Sequence, residues 1–235
     1  MRFKVNSSLL QVAAVLGTLL ILGACATPNP TVDTGAASEE MTYDGLYPIR
    51  NSTADAAWAR PDADISRYSK IMLQGVGIEY RPGGESGRLY HSRSSADYYE
   101  ISDQQKDRFK ATMREAFLKE LQKSAHFKIV NEAGPDVLLI RGGLLDVVSY
   151  VPPEPVGRSD IYLGRVGEAT LVLEIRDSVS EAIIARAVDR RAADNTGRPL
   201  QKSNRAMNTA EVRRVAATWA RMLRERLDSY GSTAK

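Results

Sequence analysis

The chain reads as an α+β domain: a largely antiparallel sheet with two main helices packed on one face, preceded by a signal peptide and a flexible tether. Three patterns predict this. Apolar residues recur every three and four positions over residues 102–121 and again over 208–230, the period of a helix buried along one side. Two segments, 169–176 and 182–191, alternate apolar and polar residues around the turn 177–181, the period of a half-buried antiparallel hairpin. Two further apolar runs, 70–80 and 137–151, are bounded by glycine and proline clusters and read as buried strands.

The N-terminus is built to be cut. Arg2 and Lys4 are the only charges before Asp33, and Val12 to Leu22 form an apolar core of 11 residues. That length suits a cleavable signal segment and falls short of the roughly 20 residues that span a bilayer. The uncleaved alternative runs from Leu9 to Ala26 with Gln11 and Thr18 inside it, and it also leaves the domain tethered. Leu22-Gly23-Ala24-Cys25 resembles the lipobox of bacterial lipoproteins. The resemblance implies that the Cys25 thiol is acylated, that the chain is cleaved before it, and that the new amine is acylated too. Each buried methylene contributes ~0.8 kcal/mol, so one acyl chain holds a protein only marginally while several hold it stably. Cys25 is the only cysteine, which excludes an intramolecular disulfide. Where such lipoproteins carry an aspartate to stay at the inner membrane, Ala26 stands here, which implies the outer membrane, periplasmic face. Pro28, Pro30 and the polar stretch to Glu40 lack periodicity and read as a tether. The expected organisation is therefore signal peptide 1–24, lipidated Cys25 and tether 25–42, and one periplasmic domain 43–235.

Charge excludes one function class. The chain holds 32 basic and 29 acidic residues. Residues 25–155 carry four more acids than bases, and residues 156–235 five more bases than acids. That excess is small, and no compact basic run marks a nucleic-acid binder.

Within the domain, Lys70 to Tyr80 places Met72, Val76, Ile78 and Tyr80 on one face and Ile71 and Leu73 on the other. Gly75 and Gly77 suggest a bulge or a close approach by another backbone, such as a packed helix. Residues 81–101 break the pattern with Pro82, Gly83, Gly84 and Gly87 and read as a long surface loop. Ser102 and Gln105 then form a capping box, and Phe109, Met113, Ala116, Phe117 and Leu121 make the buried stripe of the first helix. Phe127 to Val130 is a short strand, and Gly134-Pro135 marks a turn. Val137 to Val151 follows as a long strand with a bulge or kink at Gly142-Gly143, ended by Pro152, Pro153 and Pro155. In the hairpin, Leu171, Leu173 and Ile175 point inward. The last helix carries Val212, Val215, Ala216, Trp219, Met222, Leu223 and Leu227 on one face, with Asn208 as N-cap and Gly231 as stop. Arginines cover much of its other face, but Glu211, Glu225 and Asp228 intersperse them as ordinary surface pairs.

Tyr43-Asp44-Gly45-Leu46-Tyr47, the run from Ala63 to Leu73, and Gly134-Pro135-Asp136-Val137-Leu138 together resemble a family of proteobacterial lipoproteins, the domain of unknown function 3313. The likeness spans Tyr43 to Tyr230. Many members carry Asp-Pro where Gln74-Gly75 stands here, which marks this chain as divergent. The resemblance implies no activity, and none of its motifs is a chemical signature.

Catalytic patterns are weak. His91 and His126 are the only histidines; His126 falls where an imidazolium favours a helix C-terminus. No Gly-x-Ser-x-Gly surrounds a serine, no metal-ligand spacing occurs, and Gly83 to Gly87 lacks the Lys-Ser or Lys-Thr of a phosphate loop. No cofactor and no metal are expected. The long loop instead concentrates Tyr80, Arg81, Arg88, Tyr90, His91, Arg93, Tyr98 and Tyr99, residue types enriched at interaction hot spots. A second proline-bounded loop, Tyr150 to Tyr162, is expected beside it. The sequence thus favours a non-enzymatic binding or assembly module, with membrane lipid through acylated Cys25 and an envelope protein or cell-wall partner. The alternative is an envelope hydrolase around His91.

Overall fold

The computed structural model describes residues 29–35, 40–82, 98–152, 160–194 and 201–232. Its main sheet has eight strands in the order β1-β2-β3-β9-β8-β6-β4-β5. These are β1 (Thr31–Val32), β2 (Tyr47–Arg50), β3 (Ala56–Ala59), β4 (Lys70–Tyr80), β5 (Lys128–Val130), β6 (Val137–Ser149), β8 (Arg165–Asp177) and β9 (Ile183–Asp194). Neighbours are antiparallel except that β4 runs parallel to both β5 and β6. Helix α1 (Asp103–Leu121) makes the crossover that this parallel pairing requires. A separate ribbon pairs β7 (Tyr162–Leu163) with β10 (Gln201–Lys202), and α2 (Arg205–Ser232) closes the chain. The fold is α+β, mixed but mostly antiparallel, with α1, α2 and one sheet face sharing a single core. Every element among the described residues lies between residues 31 and 232, so a chain beginning at Ala26 retains them all.

Two bulges set which side chains reach that core. In β4, Gly75 pairs with Gly142 and Gly77 with Gly143, leaving Val76 as an extra residue. One extra residue inverts the inward–outward parity, so Ile71 and Leu73 before it and Ile78 and Tyr80 after it all join the core. The expected division of these residues between two faces is corrected accordingly. No backbone crowds the glycines either, for a Cβ at Gly75 or Gly77 would meet open space. The kink expected at Gly142-Gly143 is also displaced, since both pair regularly with β8 and the bulge of β6 falls after Leu145. There Asp146 takes φ 54°, a conformation its short polar side chain tolerates, and Leu144 and Val147 thereby face the same core.

The helices follow their stripes more closely than their ends. Gln105 Oε1 accepts from the Ser102 backbone N–H at 2.8 Å and from its hydroxyl at 2.9 Å, fixing the start of α1 where the capping pair predicts it. In α2 the cap is Asn204, whose Oδ1 accepts from the Met207 N–H at 3.0 Å, one turn before the expected Asn208. The helix also runs through Gly231 to Ser232 rather than stopping there. Residues 204–209, with only Ala206 and Met207 apolar, lack the apolar period, which hid that first turn. Strands β1, β2 and β3 were not legible for the same reason: β3 is Ala-Ala-Trp-Ala and β2 holds Pro48. The sheet accordingly reaches back to Thr31, within the stretch read as tether.

Two carboxylates hold the frame. At the β8–β9 turn, Asp177 Oδ1 accepts from the N–H of Ser180 (2.8 Å) and of Val179 (3.0 Å), while Oδ2 accepts from the Tyr68 hydroxyl at 2.8 Å and Arg67 at 3.1 Å. The Ser180 backbone donor leads these contacts in pulling its pKa from the ordinary 3.8 to about 2. On the inner face of β9, buried Asp189 accepts from Trp219 Nε1 at 2.7 Å and from the Asp55 N–H at 3.2 Å. Arg191 Nε lies 2.6 Å from its Oδ2 as an ion contact whose N–H is not aligned for a hydrogen bond.

Two outcomes follow from these anchors. Trp219 is 3 % exposed, so Trp219→Ala should cost about 3 to 5 kcal/mol, read from urea melts of the chain starting at Ala26; an unchanged midpoint would refute the core assignment. Because the folded pKa of Asp177 is depressed, its contribution is present above the unfolded value and fades as pH falls through about 2. Wild type should therefore exceed Asp177→Asn by about 2 kcal/mol at pH 7, with the gap closing by roughly pH 2. A gap independent of pH would contradict this.

Candidate functional site

The two helices lie side by side and parallel. Arg224 of α2 reaches Glu120 of α1 at 3.1 Å and Asp228 at 3.2 Å, and Ser124 just past α1 donates to Asp228 at 2.5 Å. These contacts join the C-terminal halves. Between the N-terminal halves a groove of about 570 Å³ opens onto the ends of β6, β8 and β9. Phe109 and Met113 from α1, Val212 and Val215 from α2, and Val147 and Val166 from the sheet give it apolar walls, with Trp219 at its inner end. Gln105, Arg108, Arg205 and Asn208 stand on the same two helix stripes, one and two turns nearer the helix starts, and supply polar groups. A volume between about 300 and 1,000 Å³ with apolar walls and a few polar groups is the usual form of a small-molecule site.

Of the predicted site residues, Tyr80, Arg81, Tyr98 and Tyr99 fall within the described residues, and the structure gives each an internal contact. The Tyr80 ring meets Phe109 edge to face at 6.4 Å, under Lys106, and its buried hydroxyl has no hydrogen-bond partner. Burial pushes that phenol up to about 12. Arg81 forks onto Asp146, with Nε at 2.6 Å from Oδ1, and lies over the Tyr98 ring at 5.5 Å. Arg190 adds a contact to Asp146 at 2.8 Å and one to Glu168 at 2.6 Å. The hydrogen bonds from Arg81 and then Arg190 hold the Asp146 carboxyl below its usual range. The Tyr99 N–H donates to Ser149 O at 2.8 Å, which sets the described ends of the two predicted loops side by side. Cys25, Arg88, Tyr90, His91 and Arg93 lie outside the described residues. His126 is exposed just past α1, and among the described residues no cluster of His, Cys, Asp or Glu could hold a metal.

A family model described as a protein of unknown function, DUF3313, matches residues 33–223. The chain belongs to the DUF3313 family. No curated protein matches it in sequence. Among solved structures, this DUF3313 chain is similar to protein XCC0632 of Xanthomonas campestris, assigned to DUF330, at 12% identity and TM-score 0.43, covering 74% of this chain and 91% of that one. It is similar to a homolog of a putative neuraminyllactose-binding hemagglutinin from Helicobacter pylori at 11% identity and TM-score 0.37, covering 72% and 90%. The PelC dodecamer of Paraburkholderia phytofirmans gives 8% identity and TM-score 0.34, covering 72% and 96%. At such values the similarity carries no function across.

Sequence reasoning missed the groove of this DUF3313 domain. One signal for it was present: Gln105 and Arg108 on α1, and Arg205, Asn208 and Thr209 on α2, share a face with core residues, so each stripe turns polar at its N-terminal end. The inward tyrosine offers a direct check. Removing a buried hydroxyl without a partner should leave stability unchanged or raise it by up to about 1 kcal/mol, so Tyr80→Phe is expected to melt at or above wild type. A loss above about 1 kcal/mol would show that the hydroxyl is bonded in the folded protein.

Proposed function

We propose that this DUF3313 protein is a non-enzymatic binding module of the cell envelope, held through acylated Cys25 at the periplasmic face of the outer membrane. The observation that carries the binding role is the groove between the N-terminal halves of α1 and α2. Its polar groups are amides, guanidinium groups and the hydroxyls of Thr112, Ser149, Ser203 and Thr209, which can recognise and orient a ligand, and the one described carboxylate that lines it, Glu168, is committed to Arg190 and Arg165. The anchor is supported by the lipobox-like run that ends at Cys25.

Each half has its own test. Cys25→Ser cannot form the thioether, so metabolic palmitate label should vanish and the protein should leave the membrane fraction; equal labelling would remove the anchor. For the groove, the chain beginning at Ala26 should bind the neutral fluorophore N-phenyl-1-naphthylamine saturably in detergent-free buffer. Thr209→Trp, which fills the space between the helices, should abolish that signal without lowering the melt. Absence of saturable fluorescence in wild type, or its persistence in Thr209→Trp, would defeat the binding role.

A further inference from the structure

The groove has a charge pattern that its apolar walls do not explain. Among the described residues, the guanidinium groups of Arg108, Arg114, Arg205 and Arg221 have no hydrogen bond or ion pair, whereas the other described arginines are engaged. Arg114 and Arg221 are exposed and do not line the groove. Arg108 and Arg205 line it, one from each facing helix. Arg108 is half-buried there, and a guanidinium partly withdrawn from water with no counter-charge is destabilising unless something supplies one. Among the described residues none does: Glu168 is the one described carboxylate lining the groove, and it is already matched by Arg190 at 2.6 Å and Arg165 at 3.4 Å. The helix ends bear on the same balance. Both helices start here; the acid in the first turn of α1, Asp103, is held by Lys106 at 2.9 Å, and the first turn of α2 carries no acidic residue. Deeper in, the lining changes from these cations to valine, methionine and aromatic side chains.

Resting on the binding role above, we propose that the groove takes an anionic, single-chain amphiphile. Its carboxylate or phosphate sits between Arg108 and Arg205, and its alkyl chain runs between α1 and α2 toward Trp219. The planar fork of arginine suits a carboxylate or phosphate oxygen pair, and two forks from opposite walls fix the head at the mouth. A volume of about 570 Å³ admits one chain or one compact molecule. The shared chemistry is an anionic head on one alkyl chain, whether it comes as a fatty acid or as a lysophospholipid.

Displacement of bound N-phenyl-1-naphthylamine from the chain beginning at Ala26 tests this. Dodecanoate and a lysophosphatidic acid should each displace it at concentrations at least about tenfold below dodecanol or dodecyltrimethylammonium, the factor expected for a charged hydrogen bond. Lengthening the carboxylate by one methylene should tighten binding about fourfold while the chain still fits. The Arg108→Gln, Arg205→Gln double variant should lose the preference for anions, read within that variant as the ratio of the dodecanol to the dodecanoate concentration that displaces the fluorophore. Displacement by only one of the two anions would identify the source. Equal displacement by all head groups, or a preference kept in the double variant, would overturn the proposal while leaving the groove a binding site. Failure of the fluorophore to bind wild type at all would instead defeat the underlying role. A dimer of this chain abolished by Thr209→Trp, with no displacement by dodecanoate, would assign the groove to self-association and overturn the proposal.

Discussion

The carboxylate of Asp189 sits on the inner face of the sheet, where a charge is tolerated only if its hydrogen-bonding capacity is met. Its partners come from three places. Trp219 belongs to α2, Asp55 to the turn before β3, and Arg191 to β9 itself. The hydrogen bond from Trp219 Nε1 therefore sets both the depth and the rotation of α2 on the sheet. Rotation matters because residues three and four apart share a helix face. Once Trp219 points down, Val215, Val212, Asn208 and Arg205 fall in line along the groove. The same indole also lines a second cavity, of about 230 Å³, between α2 and the β3 side of the sheet, so one side chain separates two spaces.

Much of this frame was legible in the sequence, and the reason is period. Leu171, Leu173 and Ile175 alternate, Met113, Ala116 and Leu121 follow a helical spacing, and both patterns survive in the fold. Where period fails, legibility fails. The bulge at Val76 makes β4 read as two half-strands of opposite phase, so a uniform alternation assigned Ile78 and Tyr80 to the wrong face. Glycine misled in β6 for a related reason. A pair of glycines suggests distortion, yet Gly142 and Gly143 serve as a flat stretch opposite the bulge of β4, while Asp146 takes the left-handed conformation three residues later. At Gly142 a Cβ would stand 3.2 Å from a Leu173 methyl, so close packing is the pressure at that position.

The groove was not legible because its residues are spread from Ile101 to Trp219, and most of them look like core. A valine at a stripe position buries itself against whatever faces it, and sequence does not say whether that is another side chain or a space. The tyrosine and arginine loop drew notice for the opposite reason, as aromatics without period. Its described part turns out to be fastened: Tyr80 against Phe109, Arg81 to Asp146, and Tyr99 to Ser149. These contacts brace the strands beside the groove, for Phe109 and Ser149 both line it.

The opening itself follows from where the polar contacts between the helices fall. Glu120, Arg224, Asp228 and Ser124 form a connected set at the C-terminal halves, with Glu120 buried and further paired to Lys123. Toward the N-termini the one cross-helix ion pair among the described residues is Arg213 with Glu115, at 3.9 Å between exposed side chains, which contributes little. Beyond it Gln105 and Arg108 of α1 and Arg205 and Asn208 of α2 line the groove with no hydrogen bond between the two pairs. Two parallel helices clasped at one end, and with no further polar side-chain contact across the other among the described residues, leave the groove open at that end. On the proposed reading, the two arginines that stand at that end without a partner are the groups that would hold an anionic head.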